Sequence, residues 1–276
     1  MPLVPMSEAL AGMRALCAFN AVQLELAEGI VAGAEAAGTP VVLQLSENAV
    51  RFHGALGPIG EAFLVLARAS SVGVVVHLDH ATEESLVDQA IALGFPSVMY
   101  DGAHHDYADN AARTAVVVER ARARGVWVEA ELGEIGGKNG AHAPGVRTDP
   151  AEAARFAGET GVDALAVAVG SEHAMRERSA SLDLGLIERI AESTGLPLVL
   201  HGSSGVADAT IVDAVAAGVR KINIGTHVGR VFTDAVRAAL ADESLIDPRK
   251  FLKPARAAVA AEVERMLRVI VKGEAV

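Results

Sequence analysis

The chain of 276 residues is 51% hydrophobic and 21% charged, with a formal net charge of −11. It is long enough to bury a large core as a single α/β barrel, and its acidic balance argues against a broad phosphate-backbone contact, so no nucleic-acid partner is expected. Cys17 is the only cysteine, which rules out an intrachain disulfide and a cysteine-rich zinc module and fits a reducing cytoplasm.

In chain order, the opening stretch "MPLVPMSEALAGMRA" carries two prolines and Glu8, unlike a signal peptide. No apolar run reaches the ~18 residues that span a bilayer, so no membrane partner is expected. Short runs dense in Val, Ile and Leu follow at 15–20, 39–46, 72–80, 97–102, 125–133, 162–170, 197–202 and 220–226. Each is bounded by Gly, Pro or polar residues, as strands buried on both faces are in parallel sheets. Between them lie segments of helical period, such as 83–94, 106–125, 149–161, 182–195 and 208–218. They open with Asp, Glu or an Asp within the first turn and end in Gly, as helices tend to. The pattern predicts eight strand–helix units in one domain over residues 1–276, with an additional helical segment from about Pro248. A closed (β/α)8 barrel is the natural architecture, and a doubly wound open sheet is the alternative. The Gly- and Pro-rich stretch 133–150 reads as a lid or a disordered segment.

Polar residues that sit badly in strands fall at the strands' C-terminal ends: Asn20, Ser46, Asp79, His80, Asp101, Glu129, Glu131, His173, His201, Asn223 and Thr226. In a barrel these ends share one mouth, where active sites of this fold lie. His80, His173 and His201 come from separate strand ends, and three imidazoles with an open position describe a catalytic zinc better than a structural one. Asp101 and Glu131 end neighbouring strands, where they orient ligand histidines, hold a metal in a resting position, or bond structurally. His53, His104, His105, His142 and His227 are read as ordinary hydrogen-bonded or surface residues.

"HGSSG" (201–205) and "NIGTHVG" (223–229) each follow a strand and precede a helix. Gly-rich turns at the ends of strands seven and eight form the usual phosphate cradle of such barrels, with Ser204 and Thr226 adding hydroxyls. Asp79 is placed by strand alternation on the other side of the strand from His80. It is a candidate to move a proton at a metal-bound carbonyl; a helix N-cap or a carboxylate orienting a ligand is its plainer role.

These residues, in this order, resemble the class II, metal-dependent ketose-bisphosphate aldolases of the fructose- and tagatose-bisphosphate type. The likeness covers nearly the whole chain through "AFN", "HLDHAT", "SVMYD", "VEAELG", "AVAVGSEHA", "LVLHGSSG" and "KINIGT". It implies Zn2+ on His80, His173 and His201, and Asp79 as catalytic acid/base. Asp101 and Glu131 match positions for a second or displaced divalent ion. Gly202, Ser203, Ser204, Asn223, Ile224, Gly225 and Thr226 match a dihydroxyacetone-phosphate site, with Asn20 and Ser46 polar residues near it. Ala174 stands where a glycine commonly follows the second ligand histidine. A monovalent cation near the phosphate and a homodimer or homotetramer are further implications. The implied reaction is reversible aldol cleavage of a ketose 1,6-bisphosphate.

The chain departs from that pattern in its loop "GGKNGAHAPG", where Lys138 and Asn139 replace an acidic residue and no carboxylate follows until Asp149. His142 is the candidate to take over that proton transfer. Gly225 stands where Asp or Asn is common. Two alternatives therefore stay open: a Schiff-base aldolase using Lys221, and a catalytically silent sugar-phosphate-binding barrel.

Overall fold

The computed structural model describes residues 2–133, 147–171 and 180–274. Eight parallel strands close into a barrel in chain order: β1 (Leu16–Asn20), β2 (Val41–Ser46), β3 (Val74–Ala81), β4 (Ser97–Tyr100), β5 (Trp127–Leu132), β6 (Ala164–Val167), β7 (Leu198–Leu200) and β8 (Val219–Ile224). β8 pairs with β1, Lys221 opposite Leu16 and Ile224 opposite Phe19, so the ring is closed and the open-sheet alternative is set aside.

Alternation along each strand separates two apolar environments. Val41, Leu43 and Leu45 of β2 and Val74, Val76 and Leu78 of β3 face outward into the large core beneath the helices. Leu16, Ala18, Val42 and Val75 face inward and pack against Val4, Met6 and Ala9. The short helix Met6–Leu10 thus plugs the barrel floor, a role the sequence pattern did not suggest. Above this floor one part of the interior turns polar, with Gln44, His77, Ser97, Glu129 and Lys221 all buried, beside an apolar patch of Met99, Ala164, Ala166, Ala168 and Val199.

Helix ends follow the local sequence. The Asp149 side chain accepts from the main-chain N–H of Ala151 and Glu152, both at 2.9 Å, and Pro150 takes the first helical position of Pro150–Thr160. That satisfies donors that a helix start leaves unpaired. The same helix ends at Gly161, whose φ of 66° suits a residue without Cβ.

The helix Pro248–Met266, extended by a π turn at Leu267–Val271, lies across the helix Leu24–Ala37. Two glycines set the approach: a Cβ on Gly29 would lie 2.9 Å from the Arg256 carbonyl oxygen, and one on Gly33 only 2.5 Å from that of Ala260. Gly33→Ala is expected to force these helices apart and cost about 1 to 3 kcal/mol, as overpacking does. Gly158→Ala, with no atom within 4 Å of the added Cβ, is expected to gain roughly 0.5 to 1 kcal/mol from helix propensity. Urea-unfolding midpoints of the two variants check both signs.

Candidate active site

Strand alternation would place Asp79 and His80 on opposite faces of β3, and the structure corrects that expectation. The β3–β4 register shifts between Leu78 and Ala81, and His80 has a φ of 50°, the only positive value for a non-glycine among the described residues. This left-handed turn costs about 1 to 3 kcal/mol where surrounding structure enforces it. It swings His80 into the mouth beside Asp79, with His80 Nε2 4.0 Å from Asp79 Oδ1.

His80 Nδ1 lies 2.7 Å from Asp101 Oδ2 and 3.8 Å from Glu131 Oε2. Its Nε2 faces His201 Nδ1 at 2.9 Å, the rings crossing at 86°. His201 Nε2 is held by Glu129 Oε1 at 2.9 Å. Each imidazole thus has a carboxylate on its outer nitrogen, which keeps the proton there and turns a lone pair inward. Burial, reinforced by His80, lowers His201 to about 4 despite Glu129, so the ring is neutral at neutral pH. Neutral imidazole is the form that binds a metal. Asp79, His80 and His201 form one potential ligand group and His80, Asp101 and Glu131 another, donor atoms in each lying within 4.8 Å of one another. Nitrogen and oxygen donors converging this closely fit a divalent ion such as zinc. His173 lies outside the described residues.

Asp79 is held from both sides. Asn20 Nδ2 donates to its Oδ2 at 2.7 Å and Asn223 Nδ2 to its Oδ1 at 3.3 Å. Gln44 Nε2 in turn donates to Asn20 Oδ1 at 3.1 Å. Asp79 caps no helix, since the next one, Glu84–Leu93, starts after Glu83. One layer deeper, Lys221 Nζ donates to Glu129 Oε2 and Asn223 Oδ1, both at 2.8 Å. Burial alone would raise the Glu129 carboxyl; the Lys221 ammonium and the hydrogen bond from His201 outweigh it and hold the group far below the usual range. His77 Nδ1 lies 2.7 Å from Ser97 Oγ, and burial lowers His77 to about 3, so it is a neutral structural residue. Gln44 and Glu129 received no functional role from the sequence, although their inward parity, shared with Ser46 and Glu131, was there to be read.

The turn after β7 begins with Gly202 at φ 66° and continues as a 3-10 turn, Ser203–Gly205. Ser203 Oγ is engaged by the Asn223 carbonyl, whereas Ser204 Oγ accepts the His227 N–H at 3.1 Å and keeps its own proton for a further acceptor. Ile224 is buried, Gly225 precedes the helix Thr226–Ala239, and Thr226 is exposed at its start. A Cβ on Gly225 would lie 3.3 Å from Asn20 Oδ1, so a larger residue there would press on the amide that holds Asp79. Ser46 Oγ caps the helix Glu47–His53 by accepting from Ala49 N at 3.3 Å. Ala174, Lys138, Asn139 and His142 lie outside the described residues. Among the described residues no helix is long and apolar enough to cross a membrane.

The buried ion pair speaks against Lys221 as a Schiff-base lysine, which must be neutral and reach the substrate. Lys221→Met leaves Glu129 buried without its ammonium and is expected to cost about 3 to 5 kcal/mol. The double variant Lys221→Met/Glu129→Gln should lose clearly less, and chemical denaturation of both compares them.

Residues 5–274 match the family model described as fructose-bisphosphate aldolase class-II. The chain is 40% identical over 268 residues to the fructose-bisphosphate aldolase of Geobacillus stearothermophilus, covering 95% of this chain and 93% of that one. It is 37% identical over 277 residues to the fructose-bisphosphate aldolase of Staphylococcus aureus (strain Mu50), covering 97% of each chain. Its fold superposes on the YdjI aldolase of Escherichia coli K12 with a TM-score of 0.81 and 28% identity, over 93% of this chain and 91% of that one. With the match running from the barrel floor to the C-terminal helix, this chain belongs to the class-II fructose-bisphosphate aldolase family.

Proposed function

We propose that this chain catalyses reversible aldol cleavage of fructose 1,6-bisphosphate to dihydroxyacetone phosphate and glyceraldehyde 3-phosphate, with one zinc ion held by His80 Nε2, His201 Nδ1 and His173. The observation that carries the proposal is the pair of inward imidazole nitrogens 2.9 Å apart, each with a carboxylate on its outer nitrogen and Asp79 beside them. Family membership and the names of the relatives support the substrate.

Bound zinc supplies a Lewis acid for the ketone oxygen and counters the negative charge that develops there as the C3–C4 bond breaks. Asp79, oriented by Asn20 and Asn223, takes the C4 hydroxyl proton in cleavage and returns it to the aldehyde in condensation, and C3, left with the bonding pair, takes its proton from a separate group, for which His142 is the candidate. Asp101 and Glu129 fix the two histidines, and Glu131 stands beside His80 as a resting position for the ion. Main-chain N–H groups of the turns 202–205 and 224–226, with the Ser204 and Thr226 hydroxyls, receive the phosphate of the dihydroxyacetone half. Residues 1–276 act as one barrel domain, and the resemblance extends to a cytoplasmic homodimer or homotetramer.

Asp79→Ala is expected to retain zinc, measured by elemental analysis, while kcat falls by about 10²- to 10⁴-fold. A variant that loses its metal yet regains its rate with added zinc would sink the role given to Asp79. EDTA should abolish cleavage of fructose 1,6-bisphosphate and zinc restore it. Metal-dependent ligand binding without turnover of any ketose bisphosphate would instead identify a silent sugar-phosphate-binding barrel.

A further inference from the structure

A polar cluster on the outer side of the mouth joins three elements that the sequence keeps apart. Arg265, on the helix Pro248–Met266, donates from Nη1 to Asp208 Oδ2 at 2.7 Å, and from Nε and Nη2 to the two Glu262 oxygens at 2.9 and 2.7 Å. Glu262 Oε1 is also 2.7 Å from His227 Nε2, and the His227 main-chain N–H donates to Ser204 Oγ at 3.1 Å. Asp208 opens the helix that follows the turn after β7, and His227 lies in the first turn of the helix after β8. The chain of bonds therefore runs from one candidate phosphate turn to the other and back through the C-terminal helix.

These side chains are 12% exposed at His227, 19% at Glu262, 17% at Asp208 and 32% at Arg265, so the network is partly shielded from water. A forked, charge-assisted Arg–carboxylate pair within a network holds geometry better than an isolated surface pair. Burial alone raises the Glu262 carboxyl, but Arg265 and His227 outweigh it and bring it to about 2, so it is ionised at neutral pH. The helix that carries the pair is itself anchored, with Val259, Val263, Met266 and Leu267 buried in the core.

We propose that Glu262 and Arg265 are positioning residues for the phosphate end of the substrate, holding the turns after β7 and β8 at the separation from which their N–H groups converge on one phosphate. Loops are the softest parts of a barrel, and ordering them only on binding weakens affinity. A staple formed beforehand removes that cost. The proposal rests on the phosphate assignment made above.

The test measures KM and kcat for fructose 1,6-bisphosphate, the Kd for inorganic phosphate by calorimetry, and bound zinc. The variants are Arg265→Met, Arg265→Lys, Arg265→Met/Glu262→Gln and, as a reference, Ser204→Ala. Arg265→Met should raise KM and the phosphate Kd about tenfold, with kcat and zinc content close to wild type. Arg265→Lys should fall in between, because it keeps the charge and loses the fork. The double variant removes one charge of each sign and should remain as weak as Arg265→Met. A return of the double variant to wild-type affinity would show that local charge acts, and would overturn the clamp. The clamp also fails if Ser204→Ala weakens phosphate while Arg265→Met does not, or if Arg265→Met lowers kcat at constant KM; the phosphate assignment then stands. If Ser204→Ala and Arg265→Met both leave the phosphate Kd unchanged, the phosphate assignment falls and the clamp falls with it.

Discussion

Asp79 and His80 are consecutive residues on one strand, and a regular strand cannot present both to the same cavity. The left-handed turn at His80 and the register shift against β4 resolve this conflict, bringing a carboxylate and an imidazole to within 4.0 Å. The pairing of the two imidazoles and of His80 with Asp101 depends on that distortion. With His80 turned inward, its outer nitrogen meets Asp101 and its inner nitrogen meets His201. Without it, His80 would face the helical layer and leave Asp101 without its imidazole, and Glu131 would keep only His201, whose Nδ1 lies 3.6 Å from its Oε2. Strain of this kind persists only where neighbours over-determine it, and here Asp101 and His201 hold the ring from two sides.

Beneath the mouth the barrel carries charge where most barrels carry branched apolar side chains. Glu129 and Lys221 are buried and matched to each other at 2.8 Å, and Glu129 uses its other oxygen to hold His201. A buried charge pair adds little stability by itself, but breaking it is costly. Its effect here is geometric: it fixes the tautomer of His201 and, through Lys221 and Asn223, the orientation of the amide that meets Asp79. The apolar floor formed by Met6, Ala9, Leu16, Val42 and Val75 seals this polar column from below. Cys17, outward on β1 and fully buried, has its thiol pushed up by that burial and takes no part in the chemistry.

The C-terminal helix supports the barrel from outside. Gly29 and Gly33 allow it to approach the first barrel helix closely, and its Glu262–Arg265 pair faces the two turns at the ends of β7 and β8. A segment that reads in the sequence as an appendage after the eighth unit is thus packed on the first unit and bonded to the last two.

Local rules made much of this legible in the sequence. The spacing of apolar runs, Asp at helix starts and Gly at helix ends produced eight units, and the polar strand ends marked Asp79, His80, Asp101, Glu131 and His201 for the mouth. Alternation holds at His77 and Asn223, both turned inward, because an undistorted strand alternates by geometry alone. It failed at His80, where a local break in pairing set by neighbours distant in sequence overrides alternation. Gln44, Glu129 and Lys221 gained their roles only from closure of the ring, which brings residues from β2, β5 and β8 within hydrogen-bonding reach across the interior. Likewise Ser203 and Ser204 are adjacent and chemically alike, yet one hydroxyl is taken up by the Asn223 carbonyl and the other faces the next helix. The sequence by itself determined which residue types line the mouth, since those follow from local pattern. Only the tertiary structure decided which of their atoms meet, because hydrogen bonds between strands depend on register and backbone turn.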